Sequence, residues 1–221
     1  MTSAGDSAVD SAVIFDVDGV LLDLTRDEED AFFLPFARRY GLTGLSRDWD
    51  SYRVRNDAHI IAEILERNGL PAGDHPAIVA EYLGCLSTVP PLAISGAAAL
   101  MAELSGRMLG IATANLLAAA KMRLQATGLW QPVAELAFGA EGSGHKRQTV
   151  AQAIAATGLP RERIVYVGDN LNDLEAGVGN GVHFIGFAES AARRARLAAA
   201  GAVHLSGDHG QTREIIDRLL T

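Results

Sequence analysis

Cysteine and lysine are scarce in this sequence, which contains one cysteine, Cys85, and two lysines, Lys121 and Lys146. A single cysteine excludes an internal disulfide framework and is typical of a reducing compartment, so we expect a cytoplasmic protein in which Cys85 serves in packing. No run of about 18 apolar residues occurs, so the sequence predicts no membrane span. Residues 1–10 lack a basic flank and an apolar core, and we expect no secretory signal there.

Positive charge is also in the minority, since 19 lysines and arginines accompany 27 aspartates and glutamates and the formal net charge is −8. This balance disfavours nucleic acid and anionic membrane surfaces as partners, because both require a basic face. With 221 residues, 48% of them hydrophobic, the chain can bury a sizeable core as one large domain or as a domain with an insertion. We expect a small-molecule partner, and a monomer or a homodimer.

The hydrophobic pattern divides the chain into an all-helical block and a region of alternating helices and strands. After a first strand that ends at Phe15, no β-pattern occurs between Leu24 and Pro90, and three helices are predicted there: 26–40, 58–67 and 77–86. From Ser95 the predicted helices span 96–104, 115–126, 147–156, 190–200 and 212–220. The predicted strands span 108–112, 136–138, 164–167, 182–185 and 202–205.

Repeated alternation of strand and helix predicts an α/β fold with a doubly wound, Rossmann-like parallel sheet and helices on both faces. The all-helical block is typical of an inserted helical cap, so we assign residues 24–91 to the cap and residues 1–23 and 92–221 to the α/β core. Pro35 predicts a bend or an early interruption in the first cap helix. Ligands of such sheets bind at the carboxyl ends of the strands, which directs the search for a site.

Two carboxylates, Asp16 and Asp18, follow the first strand directly. Alternate residues of an extended segment point to the same side, so both side chains leave the strand end together. Like charges at this distance repel unless a cation, a shared proton or strong donors separate them. Gly19 then allows the backbone to turn sharply and to approach a ligand. An ordinary acidic turn is the simpler alternative to a functional site.

Polar residues also end the other core strands. Thr113 and Ala114 follow the second strand, and Lys146 precedes the helix after the third. Asp169 and Asp173 follow the fourth strand. Taken singly, these residues could be a helix cap, a surface charge and first-turn carboxylates. Those alternatives do not explain why all of them end core strands in this order, so we predict a common site.

This set of side chains suits phosphoryl transfer, in which positioning and charge neutralisation supply most of the catalysis. Asp16 and Asp169 are hard oxygen ligands for Mg²⁺, and the ion would relieve the repulsion between carboxylates. Asp16 can attack phosphorus to form an aspartyl-phosphate. Asp18 can give a proton to the leaving oxygen and later take one from water. Thr113, Lys146 and nearby backbone amides would bind the phosphoryl oxygens.

The residues resemble the motifs of the haloacid dehalogenase superfamily of phosphatases, in the phosphoglycolate phosphatase and β-phosphoglucomutase-like branch with a helical cap. FDVDGVLLD over residues 15–23 is similar to the first motif, and GDNLND over residues 168–173 is similar to the fourth. Thr113 and Lys146 stand in the order of the second and third motifs. The resemblance extends from about Ala12 to the C-terminus.

The resemblance implies a role for each motif residue. Asp16 is the implied nucleophile, and Asp18 is the implied general acid and base, with its backbone carbonyl on the metal. Asp169 is an implied direct Mg²⁺ ligand. Asp173 is implied to act on the metal directly or through water, or to orient Lys146.

Three positions distinguish this chain from some branches of the family. Ala114 follows Thr113 where many relatives have Ser or Asn, which leaves only a backbone amide to help bind phosphate. Arg147 follows Lys146 where Pro is common. The presence of Asp18 argues against dehalogenation and phosphonate hydrolysis, because the branches with those activities lack the second Asp.

The segment before the second cap helix is rich in groups that could meet a polar substrate. We select Arg53, Arg55 and Asn56 as candidate substrate-binding residues. Either arginine could hold a carboxylate or a second phosphate with two parallel hydrogen bonds. The alternative is that both arginines are solvated charges on the cap surface.

Together these features predict an Mg²⁺-dependent phosphatase that hydrolyses a small phosphorylated metabolite through an aspartyl-phosphate. A phosphosugar mutase of the β-phosphoglucomutase type shares the first half-reaction and stays open as an alternative. A non-enzymatic phospho-receiver is disfavoured, because receivers lack an acid/base residue like Asp18 and have no room for a helical insertion.

Overall fold

The computed structural model describes residues 9–141 and 144–221, so residues 1–8, where no secretory signal is expected, lie outside the described residues. Its strands, in chain order, are β1 Ala12–Phe15, β2 Leu22–Asp23, β3 Leu92–Ala93, β4 Met108–Ala112, β5 Ala137–Phe138, β6 Ile164–Gly168, β7 His183–Phe187 and β8 His204–Ser206. Its helices are α1 Arg26–Tyr40, α2 Asp57–Arg67, α3 His75–Leu86, α4 Ala97–Glu103, α5 Leu117–Ala126, α6 Lys146–Thr157, α7 Leu171–Asn180, α8 Ala191–Ala199 and α9 His209–Leu219.

A parallel sheet with the strand order β5-β4-β1-β6-β7-β8 forms the core. Strand β1 is central, and its four residues are fully buried. Val13 and Phe15 pack on one face with residues of α4 and α9, while Ala12 and Ile14 pack on the other with residues of α6 and α7. Both faces are therefore covered, as in other buried parallel sheets. The predicted doubly wound α/β fold is confirmed.

Helices α1, α2 and α3, which lie between β2 and β3 in the sequence, form a separate helical layer, the cap. Its core is aromatic and aliphatic, and Phe32 makes edge-to-face contacts with Phe33, Trp49 and Tyr82. Leu116, just before α5, joins the same buried cluster, so the layer packs directly on the sheet domain. The chain passes from the sheet domain to the helical layer through β2 and returns through β3. These two strands pair as an antiparallel ribbon, so the two connections lie side by side. This ribbon lies next to the boundaries proposed for residues 24–91.

The short strands β2 and β3 were not predicted from the sequence, and α7 and α9 also differ from the prediction because local caps decide where these helices begin. Helix α7 was not predicted; Asn170 begins it by accepting a hydrogen bond from the N–H of Asn172 at 3.0 Å. Helix α9 begins before the predicted Thr212, because Asp208 accepts a hydrogen bond from the N–H of Gln211 at 2.8 Å. No helix in the described ranges is long and apolar enough to span a membrane.

Of the two effects predicted for Pro35, a bend or an early interruption of α1, the interruption does not occur. The helix is continuous from Arg26 to Tyr40, and both ends are well capped. At the start, Thr25 and Glu28 form a reciprocal capping box; at the end, Gly41 adopts the left-handed conformation. Pro35 itself is buried against the cap interior, so packing and capping offset the hydrogen bond that proline cannot donate.

Truncation of Phe36, which is fully buried in the cap cluster, tests the contribution of that cluster to stability. We expect Phe36→Ala to lower the free energy of unfolding by about 3–5 kcal/mol, because it removes a ring and leaves a cavity. Val203→Ala is the control: Val203 is 83% exposed, and its truncation should change stability by less than about 0.5 kcal/mol. Urea denaturation measures both, and equal effects would contradict a tightly packed cap.

Candidate active site

A cavity of about 320 Å³ lies at the carboxyl ends of the central strands, between the sheet domain and the helical layer. Most of the residues selected from the sequence line it: Asp16, Asp18, Arg55, Asn56, Thr113, Ala114, Lys146 and Asp169. Arg53 and Asp173 are not among the lining residues. The strand ends, the loop after β4 and the start of α2 therefore converge on one space.

Asp16 lies on the cavity wall at the end of β1 and is only 4% exposed. Its backbone N–H donates to the carbonyl of Val167 at 2.8 Å, which fixes the strand end against β6. The ammonium of Lys146, the first residue of α6, lies 2.7 Å from Oδ1 of Asp16. Burial raises the pKa of Asp16 to about 8, and the charges of Asp173 and Asp169 add to the rise while Lys146 opposes it.

Asp173 lies behind Lys146 and is fully buried. Its Oδ1 is 3.0 Å from the Lys146 ammonium and accepts a hydrogen bond from the Tyr166 hydroxyl at 2.7 Å. Its Oδ2 accepts the backbone N–H groups of Asp169 at 3.1 Å and Asn170 at 3.2 Å. Burial alone would raise the pKa of Asp173, but Lys146 and these hydrogen bonds lower it. The same ion pairs raise the pKa of Lys146 despite its burial. This geometry suits Asp173 to holding Lys146 in place.

Carboxylate oxygens of Asp16, Asp169 and Asp173 all lie within 4.8 Å of one another. Hard oxygen donors in such a group fit Mg²⁺. Burial and the charge of Asp173 raise the pKa of Asp169 to about 6, so the group is under electrostatic strain that a divalent cation would relieve. Both Asp173 oxygens already accept hydrogen bonds, which leaves Asp16 and Asp169 as the carboxylates best placed to hold the ion.

Gly19 allows Asp169 to approach the loop after β1. Its φ of 74° is left-handed, and a Cβ at this position would lie 2.2 Å from Oδ2 of Asp169. Only glycine satisfies both conditions without displacing the carboxylate. The turn predicted from the sequence is therefore also the surface against which a candidate metal ligand rests.

Asp18 faces the same cavity but lies apart from that group of three carboxylates. Its Oδ1 is 2.7 Å from Nη1 of Arg123, and its Oδ2 accepts a hydrogen bond from Nδ2 of Asn115 at 3.0 Å. Arg123 is only 4% exposed and also pairs with Glu28, Nε to Oε1, at 2.6 Å. Sequence reasoning missed Arg123 and Glu28, because no local motif marks an ion pair that joins residues 95 positions apart.

The loop after β4 joins the cavity to the cap. Thr113 is 1% exposed, and its hydroxyl donates to Oδ1 of Asn115 while accepting the backbone N–H of the same residue, both at 3.2 Å. The Ala114 carbonyl accepts the backbone N–H of Asp57 at 3.0 Å. Asn56 caps α2 by accepting the His59 N–H at 2.9 Å. The start of α2 is thus held against the strand ends.

The two cap arginines selected from the sequence occupy different environments. Arg55 lines the cavity, where its Nη1 lies 3.0 Å from Oδ1 of Asp50. Arg193 of α8 also lines the cavity, 3.6 Å from Oδ2 of Asp169, and was not predicted. Arg53 is 61% exposed outside the cavity lining and pairs with Glu66. The basic groups at the cavity are therefore Lys146 and three arginines: Arg55, Arg123 and Arg193.

Comparison with known families decides the class of this protein. The sequence model of the haloacid dehalogenase-like hydrolase family matches residues 13–187, a range that contains β1, the helical layer and the strands up to β7. The chain belongs to this family. It is therefore a hydrolase, and Asp16, Asp18, Thr113, Lys146 and Asp169 all fall inside the matched range. The branch within the family stays a prediction.

Solved structures support the same fold. CbbY from Rhodobacter sphaeroides in complex with phosphate is 23% identical with a TM-score of 0.74, covering 91% of this chain and 95% of that one. A predicted phosphatase from Clostridium acetobutylicum is 17% identical with a TM-score of 0.70, covering 96% and 100%. A variant of CbbY has been solved with xylulose-(1,5)bisphosphate at the same identity and TM-score as the phosphate complex. Comparison with curated proteins finds no match.

Asp57 is a buried carboxylic acid beside this site that the sequence analysis did not select. It is 8% exposed, and its Oδ2 accepts the backbone N–H of Leu116 at 2.9 Å. Burial raises the pKa of Asp57 to about 7, and the charge of Asp18 adds to the rise. The folded protein therefore keeps a proton on Asp57 at pH values where the unfolded chain has lost it.

It follows that the contribution of Asp57 to stability is present at acid pH and is lost as the pH rises through about 7. Asp57→Asn removes this titration and keeps an oxygen that can accept the Leu116 N–H. We expect the free energy of unfolding of the variant, relative to wild type, to rise by about 2 kcal/mol between pH 5 and pH 8. Denaturant titrations at the two pH values measure it. The exposed Glu175→Gln should show no such trend, and a flat difference for Asp57→Asn would contradict the prediction.

Proposed function

We propose that this protein is an Mg²⁺-dependent phosphatase that hydrolyses a small phosphomonoester through an aspartyl-phosphate on Asp16. The observation that carries the proposal is the buried Asp16 carboxylate, 2.7 Å from the Lys146 ammonium, in a cavity that Thr113 and Asp169 also line. A nucleophile, two groups able to bind phosphoryl oxygens and a carboxylate for a cation are the parts that phosphoryl transfer needs.

In the first half-reaction, an Asp16 oxygen forms a bond to phosphorus while the bond from phosphorus to the ester oxygen breaks. Asp18 gives its proton to that leaving oxygen. Lys146, the Thr113 hydroxyl and the Ala114 backbone amide bind the phosphoryl oxygens and stabilise their charge. In the second half-reaction, water attacks phosphorus and gives a proton to Asp18. The bond from phosphorus to Asp16 breaks, and phosphate leaves.

Asp16, Asp169 and the backbone carbonyl of Asp18 would hold the Mg²⁺ ion, and Asp173 would position Lys146. When bound, the ion supplies positive charge that offsets the repulsion between an anionic nucleophile and a phosphate. The raised pKa of Asp16, about 8, supports this assignment, because Asp16 needs such a charge nearby to be ionised at neutral pH.

The substrate we propose is a small phosphorylated metabolite that carries a second anionic group. Arg55 of the cap and Arg193 of the core both line the cavity, and both act electrostatically on Asp169. Arginine pairs well with carboxylate and phosphate, so these two side chains suit a second anionic group on a substrate whose phosphate lies at Asp16. A monomer or homodimer in the cytoplasm stays our expectation.

Substitution of Asp16 tests the nucleophile. A panel of phosphorylated metabolites should yield free phosphate in the presence of Mg²⁺ and none after chelation. Asp16→Asn should lower kcat by about 10³-fold or more on every active substrate, because the amide does not form the covalent intermediate. Asp10→Asn is the matched control, since Asp10 pairs with Arg163 away from the cavity. Mg²⁺-dependent turnover retained by Asp16→Asn would contradict the proposal.

Product analysis in the same assay distinguishes hydrolysis from the isomerisation that a phosphosugar mutase would catalyse. Free phosphate in step with substrate loss supports the phosphatase. An isomeric sugar phosphate without phosphate release would instead support the mutase.

Substitution of Arg55 tests the second anionic group. Arg55→Ala should raise KM about tenfold for substrates with a carboxylate or a second phosphate, and should leave KM unchanged for esters without one. Arg67→Ala, a cap variant whose arginine pairs with Glu63 away from the cavity, is the control. If Arg53→Ala has this effect and Arg55→Ala does not, the structural assignment is wrong.

A further inference from the structure

Arg123 is a buried cation that joins separate parts of the chain at one point. Its guanidinium pairs with Asp18 at 2.7 Å and with Glu28 of α1 at 2.6 Å, and Nη2 donates to the carbonyl of Asp23 at 3.1 Å. Arg123 belongs to α5 of the core, Asp18 to the loop after β1, Asp23 to the ribbon and Glu28 to the cap. Its side chain is 4% exposed.

Two carboxylates keep this buried guanidinium charged and fixed. Burial alone would lower the pKa of Arg123, but the charges of Asp18 and Glu28 raise it. A desolvated cation is tolerated when its partners satisfy it with good geometry. Glu28 is itself fixed, because it forms the capping box with Thr25 at the start of α1. The guanidinium of Arg123 is therefore held by Glu28 from the cap and by the Asp23 carbonyl from the ribbon.

The orientation of Asp18 is set by the same arrangement. Arg123 lies against Oδ1, and the Asn115 side chain donates to Oδ2 at 3.0 Å. An exposed carboxylate would rotate freely, whereas this one accepts a hydrogen bond on Oδ2 and has the charge of Arg123 beside Oδ1. A group that transfers a proton must lie within hydrogen-bond reach of the oxygen it serves, so its direction determines its efficiency.

We infer that Arg123 is a positioning residue for Asp18, and that through Glu28 it ties the direction of the Asp18 carboxyl group to the cap. This inference rests on the proposed function, in which Asp18 gives a proton to the leaving oxygen. A purely structural ion pair between cap and core would stabilise the fold without acting on any one chemical step.

The chemistry of the leaving group distinguishes these roles. The leaving group of an alkyl phosphate is an alkoxide, a poor leaving group that needs the proton from Asp18. The leaving group of p-nitrophenyl phosphate is a stable phenolate, which leaves without being protonated. Loss of the positioning residue should therefore slow alkyl esters selectively. Damage to the fold, to the nucleophile or to phosphate binding should slow both esters alike.

The experiment compares kcat and KM for an alkyl phosphate and for p-nitrophenyl phosphate. Arg123→Gln should lower kcat for the alkyl ester by about 10- to 100-fold more than for the aryl ester, with KM for the aryl ester unchanged. Asp18→Asn should show the same selectivity, and the double variant should be no more selective than Asp18→Asn, since both residues act on one step. Arg107→Gln is the matched control, because Arg107 pairs with Asp217 at 3.0 Å outside the cavity lining.

Equal losses on the two esters, or no loss, would overturn the inference and leave Arg123 a structural ion pair. If Arg123→Gln does not fold, Arg123→Lys carries the comparison, because it keeps the charge and removes the planar fork. Absence of selectivity in Asp18→Asn would overturn the assignment of Asp18 as acid and the inference with it. That pattern differs from failure of the inference alone, in which Asp18→Asn is selective and the Arg123 variants are not.

Discussion

The ammonium of Lys146 lies between the carboxylates of Asp16 and Asp173, at 2.7 and 3.0 Å, where little water reaches it. Removing the charge of Lys146 would leave the two carboxylates buried without their cation, which is costly in a medium of low polarity. The fold brings the three residues together: Asp16 directly follows β1, α6 begins with Lys146, and Asp173 lies in the first turn of α7. Tyr166 and two backbone amides then secure Asp173. The position of Lys146 is thus fixed before any ligand enters.

A second buried cation, Arg123, connects the cap to the active-site loop after β1 through ion pairs. It pairs with Asp18 on the core side and Glu28 on the cap side, while Asp57 reaches from α2 to the backbone before α5. These contacts close one wall of the cavity with charged groups rather than with apolar packing alone. Asp16 and Arg123 are each only 4% exposed, so electrostatic interactions within the site are stronger than they would be in water. In our proposal, this is where charge develops during transfer of the phosphoryl group.

The carboxyl ends of the strands and the polar residues that follow them were predictable from the sequence. The residues that hold those side chains in place, Arg123 and Glu28, were not. Asp16, Thr113, Lys146 and Asp169 follow strands whose apolar runs are evident, and parallel strands bring their carboxyl ends together. Arg123 and Glu28 carry no such signal, because their pairing depends on how two helices 95 residues apart are rotated.

Helix α7 was missed for a different reason, since Gly177 and Gly179 lower its helix propensity and tertiary packing overrides that preference. Its capping residues, Asn170 and Asp173, are visible in the sequence and could have revealed it. At Pro35 the predicted interruption does not occur, because burial of Pro35 in the cap outweighs the local preference to break a helix.

The most direct test of this account is to quench the enzyme with acid during turnover of an active phosphomonoester and to locate the phosphoryl group by mass spectrometry. The account predicts one phosphoryl group on the peptide that contains Asp16, formed in wild type and absent from Asp16→Asn. An unmodified Asp16 peptide while phosphate is being released, or a phosphoryl group on a different residue, would contradict it.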